Sequence, residues 1–191
     1  VSYSDHAGDY TTSGTCSLLP SFSSRSLTGH WKPIIFDIVC PNPLWRGTKS
    51  YTELLAYTEA RFRLPYILPY RLGTQGYKAQ VNNPLPIRIP VDIKIWGPAV
   101  VPEVVNETNG MRIRVHRELC TGDMLHINSG DETVQLYSDG EWSDASGYID
   151  YLRSDYVLLD PGANSLAYFN LDDSVDTRVE VSWGDWYMGV G

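Results

Sequence analysis

Histidines and carboxylates are the side chains of this sequence that could support acid–base or metal chemistry, and they are scattered. The four histidines are His6, His30, His116 and His126. His116 and His126 lie on neighbouring predicted strands, so a hairpin could bring them together, but a zinc site needs further ligands. No Gly-x-Ser-x-Gly elbow, His-Glu-x-x-His pair or phosphate-cradling glycine-rich loop accompanies them. We therefore interpret them as ordinary strand histidines, and we expect no metal and no cofactor.

Acidic residues could form two further kinds of functional site, a calcium site or the carboxylate pair of a glycosidase. Asp172, Asp173 and Asp176 share one predicted turn and carry the oxygen ligands that Ca²⁺ prefers. No glycine-spaced ligand loop surrounds them, so a solvated loop tip is the favoured interpretation. A glycosidase needs two facing carboxyl groups, and such pairs also arise by chance in an acidic protein. The glutamates that could form one are Glu103, Glu107 and Glu118. With no acid–base constellation evident, we predict that the protein is not an enzyme.

Aromatic side chains are more informative, since the chain contains 13 Tyr and 6 Trp. Exposed rings stack on sugars, whereas buried rings anchor cores and subunit interfaces. Trp183 is expected in the core. Sugar binding predicts at least two coplanar, exposed rings on one surface, and burial of every candidate ring would exclude it. The candidates for a glycan contact or a subunit contact are Trp142, Tyr148, Trp186 and Tyr187.

Short alternating segments predict the scaffold that must position these side chains. Apolar and polar residues alternate at 88–96, 111–116 and 179–183, as in strands with one buried face. Turns rich in Gly, Asn and Asp separate the segments at the spacing typical of sandwiches. The predicted fold class is all-β, an antiparallel β-sandwich of the jelly-roll or galectin-like kind, with at most one short helix. Further strands are predicted at 33–40, 100–105, 124–128, 133–137, 148–152, 156–159 and 165–169.

The only segment that resembles a helix covers residues 50–62. Ser50 and Glu53 have the spacing of a capping box, and Pro65 would end the helix. A strand is the alternative, because Tyr and Thr are frequent in the segment.

The net charge limits the kinds of partner that the protein could bind, and the cysteine content indicates the redox compartment in which it is made. A net charge of −8 without a cluster of Lys and Arg argues against nucleic acid and against an anionic membrane as a partner. The lack of a run of 18 or more apolar residues argues against membrane insertion. Cys16, Cys40 and Cys120 suit neither a disulfide framework nor a zinc site, and we expect buried free thiols in a protein made in a reducing cytoplasm. Because residue 1 is Val rather than Met, we expect a fragment or trimmed product of a longer chain.

Several short motifs follow one another in fixed order along the chain: IVCPNPLW at 38–45, IWGP at 95–98, PEVVN at 102–106, LCTGDMLHI at 119–127, LDPGAN at 159–164 and VEVSW at 179–183. This ordered set resembles the tail component family of long-tailed phages, which includes distal tail proteins and related baseplate proteins. One departure is Asn128, where many members carry Asp. Turn chemistry explains part of the pattern, since Gly162 is free to take a positive φ and Asn164 can bond back to the turn backbone.

The resemblance implies a protein of assembly. It implies a structural component of a phage or prophage tail or baseplate, located in the virion and acting through contacts with other tail subunits. Residues 1–45 would be the end of an N-terminal ring-type domain or a flexible lead-in, and residues 46–191 the sandwich. Family rings are typically hexameric, so a homo-oligomeric ring of the full-length protein is expected. The alternative is a carbohydrate-binding module that recognises a host cell-wall glycan.

Overall fold

A computed structural model gives the fold. The residues it describes are 2–5, 8–17, 21–22, 34–41, 44–56, 77–172 and 177–187. The chain divides into two compact units, of which unit 1 comprises residues 1–49 and 184–191 and unit 2 comprises residues 50–183. Within the described ranges the regular structure is β-strand and one short 3-10 helix, with no α-helix. No helix among those residues has the length and apolar character needed to cross a membrane.

The strands are numbered in chain order. Those that precede residue 100 are β1 (Ser2–Asp5), β2 (Gly8–Thr11), β3 (Thr15–Cys16), β4 (Ser21–Phe22), β5 (Ile34–Ile35), β6 (Ile38–Val39), β7 (Trp45–Ala56), β8 (Tyr77–Asn83), β9 (Ile89–Pro90), β10 (Asp92–Trp96) and β11 (Ala99–Val100). Those that follow are β12 (Glu103–Asn106), β13 (Arg112–Arg114), β14 (Glu118–Leu119), β15 (Met124–Asn128), β16 (Thr133–Ser138), β17 (Glu141–Asp144), β18 (Leu158–Leu159), β19 (Gly162–Phe169) and β20 (Arg178–Tyr187). The 3-10 helix, η1, is Ser146–Tyr148.

Unit 2 is an antiparallel β-sandwich, as the sequence predicts. One sheet has the order β7-β20-β10-β15-β16-β17, and the other has the order β13-β12-β19-β8. Strands β7 and β20 have residues in both units, and unit 2 contains β7 from Ser50 onward and β20 as far as Trp183. Alternate residues of β10, β15 and β16 are buried, as period-two strands with one inward face require. The inward side chains form the apolar core, which includes Ile93, Ile95, Ile113, Leu125, Ile127, Val134, Leu166 and Val181.

Unit 1 contains the sheet order β1-β2-β7-β20 and two small ladders, β3-β6 and β4-β5. Tyr10 of β2 is buried and packs edge-on against Tyr187 at a ring-centroid distance of 5.0 Å. In contrast, Ile35, Phe36 and Val39 remain more than half exposed. Unit 1 therefore leaves apolar surface open to solvent.

Two sequence predictions are wrong in this scaffold. The helix predicted at 50–62 is strand β7 as far as Ala56, so the strand alternative is confirmed there, and residues 57–62 lie outside the described residues. Bulky and β-branched side chains such as Tyr51 and Thr52 suit a pleated sheet better than a helix. The strand predicted at 148–152 is the end of η1 followed by a hydrogen-bonded turn.

The cysteines also differ from expectation. All three are free, but Cys16 and Cys120 are exposed and Cys40 is half-buried, so the predicted burial is wrong. Cys120 opens a turn in which its N–H donates to the Asp123 carboxylate at 2.8 Å. That bond holds residue 120 on the outside of the turn.

A network of buried asparagines closes one end of the four-stranded sheet. Asn164 accepts from the Asp160 N–H (2.9 Å) and from Asn106 Nδ2 (3.0 Å), and donates to the carbonyls of Asp160 and Gly162. Asn106 Nδ2 also donates to the Leu158 carbonyl at 2.9 Å. The turn bond expected of Asn164 is confirmed, and both amides are fully buried with every polar atom paired.

Asn83 is the third member of this network. Its Nδ2 donates to the carbonyls of Ile87 (2.8 Å) and Leu159 (3.2 Å), and its Oδ1 accepts from the Leu85 N–H. We call Asn83, Asn106 and Asn164 the asparagine triad. Together these side chains bind the backbone between residues 158 and 162, where the chain passes from β18 into β19.

Replacement of Asn164 by Ala is expected to destabilise the protein by roughly 2–4 kcal/mol, because it leaves several buried partners unpaired. Asn128→Ala is the matched control, since Asn128 makes similar local bonds to Gly130 and Asp131 in a partly exposed turn. The control should cost about 1 kcal/mol or less. Urea unfolding measures both free energies, and equal losses would contradict the proposed role of the triad.

Tyr168 of β19 gives a pH-dependent prediction. Burial raises the pKa of its hydroxyl from 10.0 to about 12, because the charged phenolate is poorly solvated in the core. A raised pKa in the folded state means that the contribution to stability is complete below pH 10 and is lost as pH rises toward 12. Wild type should lose roughly 2 kcal/mol over this range from this group, and Tyr168→Phe should lose correspondingly less. Unfolding in urea at pH 9 and pH 11.5 compares the two, and identical losses would contradict the burial argument.

Candidate interaction surfaces

Trp142 is the most accessible of the four aromatic candidates, with half of its surface exposed (50%). It lies on β17, the outermost strand of the larger sheet in unit 2. The cross-strand neighbour Tyr137 places its ring 5.2 Å away at 54°, and His126 approaches edge-on at 6.3 Å. These two contacts hold the Trp142 ring in place while much of it faces solvent.

Tyr148 occupies the end of η1 and is also exposed. The Arg117 guanidinium lies 5.0 Å from the centre of its ring, and Arg117 Nη1 donates to the Tyr148 hydroxyl at 3.2 Å. The Tyr148 carbonyl accepts from the His116 N–H at 2.7 Å. One face of this ring is therefore occupied by an arginine.

Trp186 and Tyr187 lie on the part of β20 that belongs to unit 1, where they are half-buried. The Arg46 guanidinium lies 6.0 Å from the Trp186 ring, and Tyr187 packs against Tyr10. Each of the four candidate rings thus has its own packing partners, and two belong to each unit.

An exposed turn at residues 148–152, which we call the apolar turn, carries the most exposed large apolar side chain among the described residues of unit 2. Leu152 is 96% exposed and Tyr151 is 64% exposed. Ile149 is buried, and the Asp150 N–H donates to the Arg114 carbonyl at 3.2 Å. The turn is therefore anchored to β13 while it presents two apolar side chains to solvent.

Sequence reasoning missed Leu152 because it treated residues 148–152 as a strand. The flanking residues carried the signal for a turn. Asp144 accepts from the N–H and the hydroxyl of Ser146, and the Ser154 hydroxyl accepts from the Arg114 N–H. Asp and Ser compete with strand ladders by bonding to nearby backbone, so their density on both sides favours a turn.

The outward face of the larger sheet in unit 2 carries two rows of side chains. Strand register places one residue of each strand opposite the next, from β10 through β15 and β16 to β17. The aromatic row is Trp96, Met124, Tyr137 and Trp142. The polar row beside it is Lys94, His126, Gln135 and Asp144. Sequence analysis singled out Trp142 as a contact residue and His126 as a candidate ligand, but these positions become neighbours of the others through strand register alone.

The histidines proposed as a possible pair have different partners. His126 Nε2 lies 3.2 Å from Asp92 Oδ1, and His116 Nε2 lies 3.5 Å from Asp150 Oδ2. Among the described residues, no three His, Cys, Asp or Glu side chains are placed to share a metal ion. The predicted acidic turn is described only at Asp172 and continues outside the described residues.

Two of the three candidate glutamates, Glu103 and Glu107, are engaged in structural contacts. Glu103 is buried in β12 and pairs with Arg114, with Arg112 at 3.6 Å. Glu107 accepts from Lys78 at 2.6 Å, and hydrogen bonds from Lys78 and then Ser165 hold the pKa of this carboxyl below its usual value. Glu103 thereby joins β12 to β13, and Glu107, which follows β12, contacts Lys78 of β8 and Ser165 of β19.

Comparison with known proteins gives the family. A model described as the siphovirus-type tail component, C-terminal domain, matches residues 84–187. Among curated proteins, none matches the sequence significantly. Similar solved structures include the phage P2 baseplate in its activated conformation with Ca, at 13% identity and a TM-score of 0.48, covering 95% of this chain and 67% of that chain. Its counterpart with Sr has 13% identity and a TM-score of 0.47, covering 95% and 66%.

This chain spans about two thirds of the length of those baseplate chains. The family match covers more than half of the sequence and includes both sheets' strands from β9 to β20. The resemblance seen in the ordered motifs is thereby confirmed, and the chain belongs to the siphovirus-type tail component family.

Proposed function

We propose that this protein is a structural component of a phage or prophage tail or baseplate that works through contacts with neighbouring tail subunits. The observation that carries the proposal is the apolar turn, in which Tyr151 and Leu152 are exposed on a well-anchored backbone. Family membership supports the same role. The role proposed is one of assembly rather than catalysis, in the virion, after synthesis in the bacterial cytoplasm.

The energetics of the apolar turn favour a protein partner. An exposed leucine gains roughly 2 kcal/mol when it is fully buried in an interface. The Tyr151 N–H donates to the Ile149 carbonyl and the Arg153 N–H donates to the Asp150 carbonyl, so the turn is ordered before binding. Preorganisation reduces the entropy lost on association, which makes such a turn suitable as an interface anchor.

Unit 1 supports a second part of the proposal, that residues 1–45 are the end of an N-terminal ring-type domain. Ile35, Phe36, Ile38 and Val39 are exposed in this unit. Apolar side chains clustered along a short segment are typical of surfaces that bury against another subunit. The ring we propose is a homo-oligomer of the full-length protein, with residues 46–191 forming the sandwich.

A second candidate function, recognition of host cell-wall carbohydrate, is favoured by one specific observation. The exposed ring of Trp142 lies beside Tyr137 and His126 on the open face of a sheet. The Tyr137 and Trp142 rings are tilted by 54° and are not the coplanar pair expected of a sugar platform, so the arrangement offers one stacking ring, Trp142, with hydrogen-bonding groups beside it.

Leu152→Ser is expected to lower the yield of assembled tails by about tenfold or more, since it removes an apolar anchor. The matched control is Leu171→Ser, because Leu171 is similarly exposed (78%) in the same unit but lies outside the apolar turn. Both variants should unfold at wild-type temperature. Complementation of a phage that lacks the gene, with tails counted by electron microscopy, measures the effect. Normal assembly with Leu152→Ser would refute the role of this turn.

The variant Phe36→Ser tests the proposed homo-oligomeric ring of the full-length protein. Removal of an exposed aromatic anchor is expected to shift the full-length protein toward smaller oligomers, as measured by native mass spectrometry. Phe169→Ser is the control for loss of an exposed ring outside unit 1 and outside the apolar turn. An unchanged oligomer distribution in Phe36→Ser would argue against a ring contact at this segment.

A further inference from the structure

The aromatic row is accessible, and the opposite side of the same strands is not. Ile95, Leu125 and Leu136 are buried beneath it, while Trp96 and Tyr137 are partly exposed and Trp142 is half exposed. Successive strands lie about 4.8 Å apart, so the row from β10 to β17 spans roughly 14 Å. This length suits an extended ligand of two or three sugar rings rather than a single small molecule.

The rings of the row differ in what they offer. The Arg178 guanidinium lies 4.8 Å from the centre of the Trp96 ring, so one face of Trp96 is occupied. Trp142 is supported by Tyr137 on one side and by the edge of His126 on another. The exposed part of Trp142 is therefore the best stacking surface, with Tyr137 as its neighbour.

The polar row supplies hydrogen-bonding groups alongside the rings. Gln135 carries both donors and acceptors, Lys94 is a donor, and Asp144 is an acceptor. Asp144 Oδ1 already accepts from the Ser146 hydroxyl (2.7 Å) and N–H (3.1 Å), and these bonds lower the pKa of its carboxyl, which stays ionised. Sugar hydroxyls both donate and accept, so they match this mixed set, while the apolar C–H face of a sugar ring matches Trp142.

The charged side chains on the outward face bear on which class of glycan this surface would bind. The outward face carries the carboxylates of Asp92, Asp144 and Glu180 against the cations of Lys94 and Arg178, and the whole chain has a net charge of −8. A polyanionic polymer such as a teichoic acid would meet net repulsion. The charge therefore favours an uncharged glycan.

We propose that the aromatic row and the polar row together form a binding site for a neutral polysaccharide, with Trp142 as the stacking residue. The proposal rests on the second candidate function above and names the residues at which carbohydrate would bind. Tyr148, Trp186 and Tyr187 take no part in this site, because none of them belongs to either row.

The test is a binding assay on the full chain with three immobilised probe sets: neutral oligosaccharides from bacterial cell walls, teichoic acids, and proline-rich peptides. Wild type is expected to bind members of the neutral set, and Trp142→Ala is expected to weaken that binding by about tenfold or more. Phe169→Ala is the control, since it removes an exposed ring from the same unit but from neither row and not from the apolar turn. Its binding should equal that of wild type.

The outcomes separate the site from the function. No binding by folded wild type to any neutral glycan overturns both the carbohydrate function and the site, and so does binding to teichoic acids or peptides alone. Neutral-glycan binding that survives Trp142→Ala, or falls equally in Phe169→Ala, keeps the function and overturns the site. If Trp142→Ala fails to fold, Gln135→Ala decides, because a several-fold loss supports the site and wild-type affinity overturns it.

Discussion

A buried amide is tolerated in an apolar core only when its donors and acceptors are all paired, and the asparagine triad meets this condition at one end of the four-stranded sheet. The triad holds the backbone carbonyls from Leu158 to Gly162. At this point the chain leaves the short ladder β9-β18 and enters β19, the strand that pairs with both β12 and β8. The pairing of the second sheet of the sandwich therefore depends on these amides.

With the sandwich closed in this way, the side chains that carry function lie on its outside. Among the described residues, Glu103 pairs with Arg114 and His126 contacts Asp92. The surfaces of unit 2 that we propose for contact with partners are the apolar turn and the aromatic row. Such surfaces are consistent with a tail component whose work is assembly and recognition, since neither requires a reaction centre.

Much of unit 2 could be predicted from the sequence because its strands alternate strictly. β10 and β15 follow from a period of two, and the turn before Asn164 follows from the chemistry of Pro, Gly and Asn. The segment that became β7 was ambiguous, because capping residues such as Ser50 and Glu53 also occur in exposed strands, and sheet pairing overrides local propensity. The aromatic row was out of reach, since it depends on the register of four strands rather than on spacing along the chain.

The central claim is that the protein acts in the tail through subunit contacts, and cryo-electron microscopy of the tail that carries this chain tests it most directly. The account predicts that the side chains of Tyr151 and Leu152 are buried against a neighbouring tail subunit. Density that places the apolar turn in open solvent throughout the assembled tail would contradict it.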